Sequence, residues 1–282
     1  MRNFLLYHNN IAKSIHNSNK KGRTALIPFI TIGFPTIDST VPIVKKLEEN
    51  GADVIELGIP FSDPLAEGLT IQRSSQIALE NGVNLNKCLE IVKKIRSEGV
   101  KTPLVCMGYY NPILAKGINK FCEEAADAGI DGLIVADLPS SEAKLLVTAT
   151  KKHEISLIPL LALTSNEDSI KLACKFASGF VYCISVLGVT GARKKVNSKV
   201  KELVKKVKVY TDIPVAIGFG ISKKEHIIEI GKYADAAVFG AALIEFILSN
   251  KKNLPEKNAE IFIRNLSKKN DQIGKNYENS WR

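Results

Sequence analysis

An eight-stranded (β/α)8 barrel, the TIM-barrel architecture, with an extra N-terminal helix is the fold this sequence predicts. Three observations carry it: eight short apolar runs, amphipathic stretches of helical period between them, and a length of 282 residues. Near-continuous apolar runs suit parallel strands buried on both faces, where alternation is lost because neither face meets water. Strand alternating with helix throughout means β/α units. Eight such units in about 250 residues close a barrel within one domain, so residues 1–282 are expected to form a single unit. An open doubly wound sheet is the alternative arrangement of the same units.

In chain order, MRNFLLYHNNIAKSI (1–15) reads as a short amphipathic helix without the apolar core of a signal peptide. The first run is ALIPFITIG (25–33). After it, Val41, Ile43, Val44 and Leu47 stand at helical spacing, and Gly51 supplies a C-terminal stop. The second run, ADVIELGI (52–59), opens the longest gap, from Pro60 to Thr102, which holds FSDPLAEG and two helical patterns. An excess of chain after a barrel strand belongs on the face where such loops build active sites. The runs PLVCMGY (103–109), GLIVAD (132–137), SLIPLLAL (156–163) and GFVYCIS (179–185) follow. LGVTGARKK (187–195), glycine-rich and then basic, reads as a lid that closes over a ligand. PVAIGFG (214–220) leads to Ser222–Glu225 (SKKE), whose spacing is that of a capping box opening the next helix. AAVFGA (236–241) is the eighth run, and the tail from about Asn270 reads as loosely held.

Composition narrows the class. At 45% hydrophobic and 24% charged, the chain suits an ordinary globular protein, and no run of about 18 apolar residues offers a membrane span. Its five cysteines are scattered without metal-ligand spacing, which suits a reducing compartment. The net charge of +10 comes from lysines in helical stretches and the tail, with no aromatic interleaving and no nucleic-acid motif. A solvated basic surface that attracts a phosphorylated ligand is the expectation, with neither nucleic acid nor membrane as partner. The expected compartment is the cytoplasm, or, since heavy use of lysine, asparagine and isoleucine points to an AT-rich genome, the plastid stroma if the chain is organelle-encoded.

Strand ends carry the chemistry in such barrels. No lysine lies in any run, which argues against a Schiff base, and all four histidines fall outside the strand ends. Carboxylates and tyrosines remain as acid–base candidates, without metal or cofactor. Glu56 interrupts an apolar strand; buried there, its carboxyl is pushed toward the range useful for proton transfer. Asp63 and Glu67 lie in the loop that follows. Asp137 ends the fourth run, a position that serves either catalysis or the cap of the next helix. GFGIS (218–222) and FGAAL (239–243) close the seventh and eighth runs, where a phosphate commonly sits against backbone N–H groups and a helix N-terminus.

These residues resemble a known family. GADVIELGIPFSDPLAEG is similar to the signature of the tryptophan synthase alpha subunit family. The likeness continues through IPFITIGFPT, MGYYNPIL, IVADLPSSE, SVLGVTGAR, AIGFGIS and VFGAAL. It implies cofactor-free retro-aldol cleavage of indole-3-glycerol phosphate to indole and glyceraldehyde 3-phosphate, with Glu56 and Glu67 as catalytic carboxylates. By the same resemblance Phe29 and Tyr182 line the substrate pocket, Thr190 helps the lid close, and Gly191, Phe219, Gly220, Gly240 and Ala241 hold the phosphate. Asp63, Pro64, Tyr109, Asn111 and Gly188 would belong to loops that couple to a beta subunit in an alpha2beta2 tetramer. Three positions depart from the family's pattern: Glu67 replaces aspartate, Leu69 replaces proline and Ala241 replaces serine. The first keeps open an alternative, a non-catalytic or weakly active regulatory subunit that activates its partner.

Overall fold

The computed structural model describes residues 10–184, 198–218, 220–250 and 252–267. The N-terminal helix α1 spans Asn10–Lys20, so its described part runs five residues past the expected end at Ile15. The tail beyond 267 lies outside the described residues.

Strands and helices then alternate: β1 Ala25–Thr31, α2 Thr40–Glu49, β2 Ile55–Gly58, α3 Leu69–Glu80, α4 Leu85–Ser97 and β3 Leu104–Gly108. Next come α5 Tyr110–Lys116, α6 Ile118–Asp127, β4 Gly132–Val135, α7 Lys144–Lys152, β5 Ser156–Leu157, β6 Leu160–Ala162 and α8 Glu167–Phe176. The last third holds β7 Val181–Ile184, α9 Ser198–Tyr210, β8 Val215–Gly218, α10 Lys224–Gly231, β9 Ala236–Phe239, α11 Ala241–Ser249 and α12 Pro255–Ser267.

All pairings are parallel, in the order β5-β4-β3-β2-β1-β9-β8-β7-β6. The two ends of that order are halves of one predicted run, split at Pro159. Ile158 N–H donates to Leu133 O at 3.0 Å on one side, and Tyr182 N–H donates to Pro159 O at 3.0 Å on the other. The sheet therefore closes as an eight-stranded barrel. Nine strands appear where eight runs were read because proline has no N–H to give the ladder.

Most strand residues are buried on both faces, as apolar runs require; Met107, Leu160, Ala162 and Ile184 are half-buried. Ile27, Val54, Val105, Ile134, Ile158, Phe180, Ala216 and Ala236 fill the barrel's interior. Ile11 and Ile15 of α1 join that interior cluster and plug its floor. Gly132 and Gly179 make room for the plug: a Cβ on Gly132 would lie 2.7 Å from Ile11 Cδ1, and one on Gly179 3.3 Å from Ile11 Cγ2. The alternate strand residues, among them Leu26, Leu57, Leu133 and Ile217, face outward onto helix residues such as Val44, Leu47 and Val92.

Two local expectations come out differently from each other. Gly51, at φ +102, follows the end of α2 as expected, in the left-handed region open to glycine. The SKKE capping box does not form: α10 begins at Lys224 behind an extended Lys223 that makes no side-chain cap bond. Ser222 sits one residue too early, and its N–H donates to His226 Nδ1 at 3.4 Å instead.

A repeated clamp ties the barrel's N-terminal rim. Asp53 accepts from Leu26 N–H, Asp131 from Leu104 N–H and Asp235 from Val215 N–H, each at 2.8 Å, and Ser178 Oγ accepts from Leu157 N–H at 3.0 Å. In every case a side chain ahead of one strand takes an N–H from the first two residues of an earlier strand. Asp131 also pairs with Arg96, which donates to the Gly129, Val100 and Thr102 carbonyls. Asp131→Ala leaves a strand N–H and a guanidinium without their acceptor. The expected cost is about 1–3 kcal/mol, read as a lower urea midpoint at unchanged slope. An unchanged midpoint would show that the clamp adds nothing to stability.

Candidate active site

The C-terminal ends of the strands surround a cavity of about 350 Å³. Its walls are Phe29 of β1, Met107 of β3, Leu160 of β6, Tyr182 and Ile184 of β7 and Val238 of β9, with Glu56 of β2 among them. One side is closed by Ala66–Ile71, the end of the acidic loop and the first turn of α3; another by Gly240–Ala242, where α11 begins.

Glycines set the shape of the walls. Phe29 sits between Gly58 and Gly240: a Cβ on the first would lie 2.4 Å from its Cζ, and one on the second 2.8 Å from its Cδ1. Gly240 therefore relieves crowding as well as lining the mouth. Tyr182 lies over Gly218 in the same way. Gly220 is different. It has φ +70 and nothing within 4 Å of an added Cβ, so backbone conformation and not space accounts for glycine there.

Glu56 is 1% exposed, beside Phe29 in the register of β1 and β2, and its Oε2 has no hydrogen-bond partner. Burial, then the charge of Glu67, pushes its carboxyl up to about 8. Glu67 is half-buried at the mouth. Burial pushes it up to about 7, and the Tyr109 hydroxyl holds it back by hydrogen bonding. The two carboxyls line one cavity, and in each the larger cause of the upward shift is burial. Tyr182 is buried beside them; burial and then the charge of Glu56 raise its phenol well above the ordinary value. Tyr109 is buried too, stacked on Phe61 with centroids 4.8 Å apart, and its hydroxyl accepts from Ala66 N–H at 3.2 Å.

Of the residues singled out from sequence, Phe29, Glu56, Glu67, Tyr182, Gly220, Gly240 and Ala241 converge on this cavity. Asp63 and Asn111 are exposed and Pro64 is half-buried; none lines it. Asp137 caps not the next helix but α5, which precedes its strand in the chain, accepting from Tyr110 N–H at 2.8 Å. Gly188, Thr190, Gly191 and Phe219 lie outside the described residues, as does the whole of the predicted lid. Sequence reasoning did not name Met107, Leu160, Ile184 or Val238, although their place at the ends of apolar runs was a usable signal. Among the described residues no three His, Cys, Asp or Glu side chains gather as metal ligands, and no helix is long and apolar enough to cross a membrane.

Known proteins resemble this chain along most of its length. A family model described as tryptophan synthase alpha chain matches residues 15–273. The tryptophan synthase alpha chain of Thermoanaerobacter sp. (strain X514) is 49% identical over 239 residues, 85% of this chain and 90% of that one. Tryptophan synthase of Saccharomyces cerevisiae is 44% identical over 235 residues; the match spans 83% of this chain but 33% of the yeast protein. A structure from Pyrococcus furiosus, titled for mutual activation of the tryptophan synthase a2b2 complex, superposes with a TM-score of 0.81 at 37% identity. It covers 86% of this chain and 98% of that one.

Proposed function

We propose, from the premise that the chain belongs to the tryptophan synthase alpha chain family, that Glu56 and Glu67 are the acid–base pair of an indole-3-glycerol phosphate lyase. The observation that carries this is the buried Glu56 carboxyl, whose Oε2 has no hydrogen-bond partner among the described residues, in a cavity whose other carboxyl is Glu67. At neutral pH the pair favours a protonated Glu56 and an ionised Glu67. Glu56 then gives its proton to the substituted carbon of the indole ring. Glu67 accepts a hydrogen bond from the ring N–H as positive charge develops there. Glu56, now a carboxylate, withdraws the proton of the side-chain hydroxyl; the carbon–carbon bond breaks, its electrons return to the ring, and indole and glyceraldehyde 3-phosphate result. Glu56 ends as it began, protonated.

The phosphate would rest against backbone N–H groups at Gly220, at Gly240–Ala241 where α11 starts, and at Gly191 and Phe219. Ala241 lacks a hydroxyl but keeps its N–H, so the backbone part of such a site is intact. Phe29, Leu160 and Ile184 would hold the ring, and Thr190 with Gly188 would bring the lid down.

The beta subunit, in an alpha2beta2 tetramer, is the partner that takes the indole. The acidic loop exposes Leu65 (91%) and the start of α3 exposes Leu69 (71%), large apolar side chains that gain by being covered. Asp63 and Pro64 of the loop and Asn111 of the MGYYNP segment would take part in the same coupling. The reaction would run in the cytoplasm, or in the plastid stroma if the chain is organelle-encoded.

The test is indole release by the purified chain, with and without a beta subunit, from pH 5.5 to 9.5. The rate kcat/KM should rise as Glu67 loses its proton through about 7 and fall as Glu56 loses its own through about 8. A flat profile would remove the carboxylate pair. In Glu67→Asp the carboxylate retreats by one methylene, and the rate should fall by about tenfold or more in this loop frame. Silence in the native chain with recovery in Glu67→Asp would favour a subunit kept for its partner.

A further inference from the structure

Helix α3 is unusual in what it buries. The buried faces of α2 and α4 are mostly Val, Ile and Leu, with Thr40 and Cys88 among them, whereas α3 fully buries only Ser74, Ser75 and Ala78. A buried hydroxyl stabilises nothing unless it is bonded, so two adjacent ones mark a surface built for geometry. Ser74 binds the barrel: its Oγ lies 2.6 Å from Thr31 Oγ1 at the end of β1. Ser75 binds the acidic loop, accepting from Phe61 N–H at 3.0 Å and donating to Phe61 O at 3.3 Å. One turn earlier, Gln72 Nε2 donates to the carbonyl of Glu67 itself at 2.9 Å.

We propose that Gln72 and Ser75 are positioning residues for the lyase reaction: from one face of α3 they grip the acidic loop at its two ends and so fix Glu67 against the cavity that holds Glu56. The inference rests on the functional reading above and adds residues that do not themselves line the cavity. Ser75 fixes where the loop leaves β2, and Gln72 fixes where it enters α3. The Ser74–Thr31 bond refers both to the strand that carries Phe29. Between the grips, Ser62, Asp63 and Leu65 are exposed, and the Tyr109 hydroxyl, which accepts from Ala66 N–H, is a third hold from outside the loop. Glu67 carries one methylene more than the aspartate of the family's pattern, and a longer side chain has more positions to lose when its backbone slackens.

The test compares Gln72→Met, Ser75→Ala and Ser75→Thr with the parent. Two readings are taken: kcat and KM for indole release across pH, and a carbon-13 carboxyl titration of Glu67, assigned with Glu67→Gln. Gln72→Met and Ser75→Ala should lower kcat on the order of 10- to 100-fold with KM within about twofold, because a catalytic group is misplaced and the ring and phosphate contacts are not. Their acid limb and the Glu67 titration should move together to lower pH as water reaches the loosened carboxylate, while the alkaline limb stays. Ser75→Thr keeps the hydroxyl and should stay near the parent in both readings.

A lowered melting temperature with kcat, acid limb and titration all at parental values would overturn the proposal and leave a merely structural role. Should Ser75→Ala fail to fold, the half-buried Gln72→Met decides alone. If the parent makes no indole, the functional reading fails, yet the carboxyl titration still shows whether these two side chains hold Glu67.

Discussion

Glu56→Gln is expected to reduce indole release on the order of 10³-fold and at the same time to stabilise the fold at alkaline pH. The loss follows from the mechanism: Gln keeps the shape and much of the polarity of Glu but can neither give the ring a proton nor take one from the hydroxyl, and acid–base groups of this kind contribute on the order of 10² to 10⁴. The gain follows from linkage. The carboxyl sits at about 8 in the folded chain against an ordinary 4.5. Between those values the folded chain retains a proton that the unfolded chain releases, so stability falls as pH rises through that window. The contribution is intact below about 4.5 and gone once Glu56 ionises above about 8. Glutamine has no proton to lose. Thermal melts at pH 5 and pH 9 should therefore show the parent losing more than Glu56→Gln, and the variant melting higher at pH 9. Glu67, raised in the same direction, leaves a smaller decline in both proteins up to about pH 7. A variant that is inactive but no more stable at pH 9 would mean that Glu56 is not carried as a buried acid.

Much of the fold was legible because burial on both faces erases alternation. Leu26 and Ile27 point to opposite sides of β1, and both are fully buried; no amphipathic strand reads that way. What was not legible lay where one backbone group decides. Pro159 divides a run that composition alone makes continuous. The capping-box spacing at Ser222 was right, but His226 took its N–H and the helix started later. Closure itself could not be read from periodicity, which is the same for an open doubly wound sheet; it needed the hydrogen bonds on either side of Ile158 and Pro159.

The site divides along the same line. Glu56 could be found from pattern, since a carboxylate inside an apolar strand stands out, and its Oε2 is buried with no hydrogen-bond partner among the described residues. Glu67 could not: loop acids are usually solvated, and only the resemblance singled it out beside Asp63, which is exposed. The walls of the cavity follow register, which one sequence does not give. Gln72 and Ser75 were invisible for a further reason. They act on backbone carbonyls and N–H groups of another segment, and every segment has those.

The second large effect is expected at Gly218, where nothing in the sequence distinguishes a glycine that spares a ring from one that serves a turn. A Cβ placed on Gly218 would lie 2.0 Å from the Tyr182 hydroxyl oxygen, 2.5 Å from Cε2 and 2.6 Å from Cζ. No rotation of a rigid ring clears three such contacts. Retreat is closed below by Phe180, whose ring centroid is 6.0 Å away, and to the sides by Leu160 and Ala216, the neighbours of Tyr182 in register. The ring must swing into the cavity, or β7 and β8 must part. The first fills the space an indole would take, and the second shifts the wall opposite Glu56. Gly218→Ala should therefore lower kcat/KM on the order of 100-fold and destabilise by about 1–3 kcal/mol, large losses for one methyl group. Removing the obstacle separates this account from a general intolerance of Cβ at position 218. Tyr182→Leu in the Gly218→Ala background should recover most of the stability, read by urea unfolding, and part of the activity. A double variant no more stable than Gly218→Ala alone would show that the backbone at Gly218, and not the ring above it, requires glycine.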